Sequence, residues 1–337
     1  MKYEVKCLMF AVLYLTARQI ASAQTAPPAV LNIDIQNFVY YLNDTPDVSK
    51  LATNPDPVPA ALKPFEYYMG YGDIVAVNGK PSKGTYVIRG QYSPRGPSGA
   101  TAVAMADLAR NGSADETYDI ADANGTSLGT IATIGFNGGT PPPGAPTAIT
   151  GNHYLVIGGT GAFLGITGEG GNGPAPPAGS PATRFASMIE DPSRRRINGG
   201  GTATKTLYLL PSTRPAIIPT PNGPAIVHSS DFKPVSTASP AQSGEILTLF
   251  ATGLGPTRPS VDPGKPFPAS PIAVVNSPLE VLVNGAPAEV VGTAGYPGAM
   301  DGYQVNFRMP SGAAKGTASL QLTVAWIPGP AVTISVQ

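Results

Sequence analysis

Apolar and polar residues alternate in short runs along most of this chain, with the two-residue period of half-buried β-strands. Leu31, Ile33 and Ile35 stand against Asn32, Asp34 and Gln36, which predicts a strand over 31–42. Further runs at 65–77, 84–91, 102–108, 116–121, 128–135 and 204–210, with the stretch 152–170, bring the total to roughly seven or eight short strands before residue 211. The stretch 152–170 reads as strand, glycine turn, strand. Tyr154 to Ile157 is an apolar run, Gly158, Gly159 and Gly161 provide the turn, and Phe163 and Ile166 resume the apolar pattern. These glycines predict a tight corner; a phosphate loop would need a helix behind it, and none is predicted. Asn78-Gly79 marks another turn, expected to sit in a hairpin loop of several residues. Beyond a proline-rich segment, strands are predicted at 225–228, 244–256, 279–283, 288–293, 303–309, 318–326 and 331–336.

Composition agrees with many strands and many turns. The 337 residues include 40 glycines and 38 prolines, interspersed with Val, Ile, Thr and Tyr runs, so these two residues act as punctuation. The class is all-β. Only 12% of residues are charged and 21 basic balance 21 acidic groups, so no global field draws the chain to nucleic acid.

The first residues read as an export signal. Lys2 and Lys6 precede an apolar core at 7–16, too short to span a bilayer, and Ala21-Ser22-Ala23 fits a cleavage site before Gln24. The single cysteine, Cys7, lies inside this segment, so a chain starting at Gln24 has no thiol nucleophile and no disulfide. The expected location is secreted or extracytoplasmic, at the cell surface, with no membrane span.

Four segments in order carry a resemblance: G-D-I-V-A-V-N-G-K at 72–80, E-T-Y-D-I at 116–120, V-I-G-G-T-G-A-F-L-G-I-T-G at 156–168 and T-K-T-L-Y-L-L at 204–210. Together they resemble the allene oxide cyclase and dirigent superfamily, the third being close to its G-G-[ST]-G-x-F-x-x-x-x-G signature. The resemblance implies an eight-stranded antiparallel barrel over 31–211 with an apolar interior, and a chain that forms homo-oligomers. Residues 171–198 then read as an insertion. In the cyclases a glutamate two residues before an asparagine on the first strand, and a second asparagine after the G-D-L-V segment, serve the reaction. The matching asparagines are Asn43 and, with a slip of one residue, Asn78, whereas the glutamate position falls on Tyr41. The carboxylate that would stabilise positive charge is missing there, so cyclase activity is not expected. Similarly, G-E-I-L-T-L-F-A-T-G-L-G-P at 244–256 with Y-Q-V-N-F-R-M-P at 303–310 resembles the Ig-like (IPT/TIG-type) domain of secreted bacterial proteins, which implies a β-sandwich used as spacer, adhesion or anchoring module.

The expected organisation is a signal peptide at 1–23, a lead-in at 24–30, the barrel at 31–211, a proline-rich linker at 212–224 that holds the two domains apart, and the sandwich at 225–337. Candidate pocket residues are Tyr41, Asn43, Asp73, Asn78 and His153. Asp73 also reads as a turn-capping carboxylate and as one of several acids, with Glu66, Asp107 and Glu190, that a glycoside-hydrolysing pair would draw on. Arg194-Arg195-Arg196 reads as a solvated face, with an anion site as the alternative. No cofactor and no metal are expected. The two histidines, His153 and His228, fall in different domains, no G-x-S-x-G elbow is present, and a surface calcium site among Asp115, Asp119 and Asp122 stands only as an alternative to solvated loop charge. The resulting expectation is a non-catalytic binding or surface protein whose barrel holds an apolar small molecule. Two alternatives stay open: an enzyme acting on a lipid-derived or phenolic substrate in the barrel, and an adhesion protein that binds cell-surface polysaccharide.

Overall fold

The computed structural model describes residues 27–42, 67–92, 112–137 and 143–337. The signal segment, Asn43, Glu66, Asp107 and the strand expected at 102–108 lie outside these residues. The described part is all-β. Its first half contains β1 (Ala29–Leu42), β2 (Tyr67–Val77), β3 (Lys80–Tyr92), β4 (Gly112–Ala121), β5 (Ser127–Asn137), β6 (Gly151–Gly159), β7 (Ile166–Asn172), β8 (Arg184–Ser187) and β9 (Gly201–Pro211).

Eight of these strands close into an antiparallel barrel. The order runs β2-β3-β4-β5-β6-β7-β9-β1, and β1 pairs back onto β2. Closure follows from the alternation itself, because each strand has one apolar face and a closed sheet buries all of those faces while leaving no unpaired edge. Leu31, Ile33 and Ile35 of β1, Tyr86 and Ile88 of β3, Tyr118 and Ile120 of β4, and Leu207 and Leu209 of β9 all point inward and are buried.

Three tight turns lie at one end of the barrel. The first differs from the expected loop of several residues: β2 ends at Val77 and β3 starts at Lys80, leaving Asn78 and Gly79 as a two-residue turn with φ of 51° and 72°. This is the geometry whose twist matches a hairpin, and asparagine followed by glycine is the pair that adopts it most readily. The second turn joins β4 to β5. The third, between β6 and β7, is the glycine corner read from the sequence, and it includes a short 3₁₀ turn, Gly161–Phe163, that the strand pattern did not anticipate. Gly161 has φ of 60°, and a Cβ there would stand 2.3 Å from the carbonyl oxygen of Leu128, so this position excludes a side chain.

The sequence insertion is built into the wall. Beyond a bulge at Asn37, where φ is 53°, the partner of β1 changes from β9 to β8, which runs parallel to it from Val39↔Arg184 to Leu42↔Ser187. A helical turn follows β8, ending in Arg195–Asn198. Val39, Tyr41 and Ala186 form a small second cluster on the outside of the barrel, with Tyr71 packed against it.

The second half consists of strands at Ile226–His228, Ile246–Thr252, Leu279–Val283, Ala286–Gly295, Tyr303–Arg308, Gly316–Val324 and Val332–Val336, close to the expected positions. All of them join one connected set of antiparallel pairings. The segment expected to be a linker is not a free spacer. Ala216–Ile217 pairs with Ala251 and Thr252, and Pro219–Thr220 forms a hairpin with Gly223–Pro224. Nor are the halves held apart. Lys80 in the barrel forms an ion pair with Glu280, Asn276 donates to the Ser127 carbonyl at 3.0 Å, and Arg214 reaches the carbonyls of Pro27 and Pro328. The second half therefore packs on the tight-turn end and leaves the end with the long connections facing away. Among the described residues no helix is long and apolar enough to cross a membrane.

Candidate functional site

The centre of the barrel holds an ion pair. Glu116 of β4 is in phase with Ala114, Tyr118 and Ile120, and Lys205 of β9 is in phase with Leu207 and Leu209, so both strands turn a charged side chain toward the apolar interior. Lys205 Nζ lies 2.6 Å from Glu116 Oε1, with the lysine side chain 3% exposed and the glutamate side chain 0% exposed. Removing two charges from water costs several kcal/mol per ion, so such a pair persists only when its remaining hydrogen-bonding positions are also filled.

They are filled from the surrounding strands. Tyr86 donates to Glu116 Oε1 at 2.6 Å, Tyr118 to Oε2 at 2.5 Å and Thr133 to Oε2 at 3.3 Å, while Lys205 also donates to Asn172 Oδ1 at 2.8 Å. The ammonium sits 5.2 Å from the ring centroid of Tyr86 and 5.9 Å from that of Tyr154. Burial pushes the Tyr86 and Tyr118 hydroxyls well above the ordinary tyrosine pKa, and the neighbouring Glu116 charge pushes them further, so both stay protonated as donors. Beside this group Asn137 donates to the Tyr68 hydroxyl and accepts from that of Tyr154.

Aromatic rings fill much of the remaining interior. Phe38 packs against Tyr40 and Tyr86, Tyr40 packs against Tyr68, and Phe185 of β8 stacks on Tyr40 at 5.5 Å. The open space lies above, at the end with the long connections. A cavity of about 290 Å³ is bounded there by Phe38, Tyr40, Asn172, Pro174, Pro176 and Lys205. Its size is at the lower limit for a small-molecule site. Lys205 thus belongs both to the buried ion pair and to the cavity lining, and two of its three N–H donors are used by Glu116 and Asn172.

The pocket residues expected from the sequence lie elsewhere. Tyr41 is on the outer face of β1 under β8, with its hydroxyl buried and, among the described residues, without a hydrogen-bond partner. Burial, aided by the Glu190 charge, raises its pKa to about 12. Asn78 is in the hairpin turn, where its side chain accepts from the Asn32 N–H at 2.8 Å and donates to the Val30 carbonyl at 3.0 Å, tying the turn to β1. His153 is also outside the barrel, with Nδ1 2.6 Å from Glu169 Oε1. Asn43 falls outside the described residues.

Asp73 is neither in the pocket nor a turn cap. It points outward from β2, accepts from Asn37 at 2.9 Å, and binds Arg195 at 2.5 Å and Arg196 through two bonds of 2.7 Å. Burial works to raise its pKa, but the hydrogen bonds from Arg196, Asn37 and Arg195 outweigh it and hold the carboxyl at about 2. This corrects the reading of the arginine triplet as a solvated face in part: Arg194 and Arg196 are exposed, but Arg195 is buried, and Arg195 and Arg196 together clamp the insertion onto the barrel through Asp73. Glu190 is similarly engaged, bound by both terminal nitrogens of Arg184 at 2.9 and 2.6 Å. Asp115 pairs with Arg89, and Asp122 accepts from the Asn124 and Thr126 N–H groups of its turn. Among the described residues no group of three or more His, Cys, Asp or Glu side chains is arranged to hold a metal ion.

No protein-family profile matches the chain, and no curated protein matches it. Among solved structures, the N-terminal domain of the Streptococcus gordonii adhesin Sgo0707 aligns over 92% of each chain at 10% identity, with a TM-score of 0.16. At that TM-score the likeness supports no inference about fold or role.

Proposed function

We infer that the chain is an exported two-domain binding protein, an allene oxide cyclase- or dirigent-like barrel joined to an Ig-like module, whose barrel mouth holds a small molecule with an apolar body and one polar group. The observation behind this reading is the position of Lys205: buried, shared between Glu116 and Asn172, and lining a cavity whose wall joins Phe38, Tyr40, Pro174 and Pro176 to Thr150, Thr183, Thr202 and Thr204. Sites of this kind combine apolar walls with a few fixed polar groups that orient the ligand. The ligand's acceptor group would meet the remaining lysine donor, and its apolar part would lie along Phe38, Tyr40 and Pro174. Export is supported by the apolar core at 7–16 and the Ala21-Ser22-Ala23 site.

The engaged state of Glu116 favours binding over chemistry in the barrel. Four donors already occupy the carboxylate, two on each oxygen, which leaves it no acceptor position for a substrate proton. The test is native mass spectrometry of gently purified protein, followed by organic extraction. A co-purifying molecule is expected with the wild type and is expected to be lost in Ala175→Trp, which fills the exposed rim of the cavity without touching the ion pair. Wild-type protein that is always empty, or ligand retained undiminished by the variant, refutes this assignment of the site.

A further inference from the structure

The second half of the chain contains a separate arrangement of side chains that the barrel reading leaves unused. His228 ends the strand Ile226–His228, and Glu245 immediately precedes the adjacent strand Ile246–Thr252, with His228 in register with Leu247. This pairing sets His228 Nδ1 2.6 Å from Glu245 Oε1. The loop between the two strands returns Ser239 to the other side of the ring, with its Oγ 3.1 Å from His228 Nε2. The second oxygen of Glu245 accepts from the Gln242 N–H at 2.7 Å, which fixes the carboxylate.

The hydrogen bonds determine the tautomer. A carboxylate only accepts, so the short contact to Glu245 requires the proton on Nδ1, and in the neutral ring Nε2 is then the acceptor for the Ser239 hydroxyl. The same Nε2 is 3.2 Å from the Ser239 carbonyl oxygen, a contact that becomes a hydrogen bond only when Nε2 gains a proton. Thus one partner of the ring suits its neutral state and a second suits its protonated state. The His228 side chain is 12% exposed and that of Glu245 is 20% exposed, so the group is sheltered yet open to solvent. All three residues line a cleft of about 950 Å³ whose walls also carry Lys233, ion-paired with Asp231 at 2.7 Å, and Arg308, ion-paired with Glu289 at 2.8 Å.

We propose that Ser239, His228 and Glu245 form a nucleophile, base and orienting carboxylate that hydrolyse carboxylic esters of polar, hydroxylated alcohols bound in this cleft. Ser239 Oγ attacks the ester carbonyl carbon to give the tetrahedral oxyanion while its proton passes to His228 Nε2. Collapse breaks the bond to the alkoxide, which leaves with the proton from Nε2. Water then attacks the acyl-serine, gives a proton to Nε2, and releases the carboxylic acid as Ser239 recovers its hydroxyl proton. Glu245 holds the ring in the required tautomer and stabilises its charged form, as the third member does in other serine hydrolases. The cleft is lined by hydroxyl, amide and charged groups such as Ser229, Gln242 and Asn306, which suits a hydroxylated substrate better than a lipid. This activity is independent of the barrel site.

The test uses the full chain with p-nitrophenyl acetate as substrate and a fluorophosphonate as covalent probe. The probe is expected to add to Ser239, located by peptide mass mapping of the wild-type protein, which needs no variant. Hydrolysis is expected to fall by roughly 10²–10⁴-fold in Ser239→Ala and in His228→Gln, at unchanged melting temperature. An unmodified Ser239, or Ser239→Ala hydrolysing at the wild-type rate, overturns the proposal. So does wild-type hydrolysis no faster than buffer, combined with a lowered melting temperature in Ser239→Ala, since that pattern means the serine only pins its loop.

Discussion

Lys205 and Glu116, 89 residues apart in sequence, meet at 2.6 Å in the middle of the barrel, and neither side chain has appreciable contact with water. Removing one partner leaves the other as a buried charge. Glu116→Leu and Lys205→Met are each expected to destabilise the fold by about 3–5 kcal/mol, and the double variant less than the sum. Urea unfolding of the four proteins, arranged as a double-mutant cycle, measures this coupling.

Asp73 links stability to acid. Its carboxyl titrates at about 2 in the folded chain against 3.8 in the ordinary state, so the ion pairs contribute above pH 4 and the contribution is lost as pH falls toward 2. The shift corresponds to about 2 kcal/mol. Asp73→Asn is expected to lose about that much at pH 7, and its stability is expected to show a shallower fall between pH 4 and pH 2 than the wild type when followed by chemical unfolding.

Tyr41 gives the opposite sign. Burial first, and then the Glu190 charge, raise its hydroxyl to about 12, so the stability it allows is present below pH 10 and is lost as pH rises from 10 to 12. Because the hydroxyl is buried without a partner among the described residues, Tyr41→Phe is expected to be neutral or up to about 1 kcal/mol stabilising at pH 7. Tyrosinate absorbance during alkaline titration, compared between the two proteins, is expected to lose one late-titrating tyrosine in the variant.

Asn78→Ala tests the hairpin. The substitution places a Cβ-bearing residue without a compensating side-chain hydrogen bond at φ of 51° and deletes two bonds to β1. A loss of about 1–3 kcal/mol is expected from thermal unfolding. Retention of wild-type stability would show that the turn is held by the strands alone.

Strand positions were legible because the period of two is a local property, imposed wherever one face of a sheet is buried. So were the Asn78-Gly79 turn, the glycine corner at 158–161 and most strands of the second half, since each depends on neighbours in the chain. The buried charges were legible in principle as well. Glu116 shares its phase with Tyr118 and Ile120, and Lys205 shares its phase with Leu207 and Leu209, so each is a charge written into an apolar face. What the alternation does not state is which face points inward in a strand of mixed character. The family resemblance places Tyr41 in the pocket, and it shares the phase of Leu31, Ile33 and Ile35, but the bulge at Asn37 turns it outward, whereas Asp73 and His153 are out of phase with the buried Ile74 and Tyr154.

The amino-acid sequence by itself determined the all-β class, the approximate strand boundaries and the turn positions, since these follow from steric and hydrophobic preferences acting over a few residues. Only the tertiary structure decided that Glu116 meets Lys205, that Asp73 receives Arg195 and Arg196, and that Ser239 comes to His228 beside Glu245. Each of these depends on strand register, barrel closure or the return path of a loop, and a hydrogen bond between distant residues leaves no periodic trace in the chain.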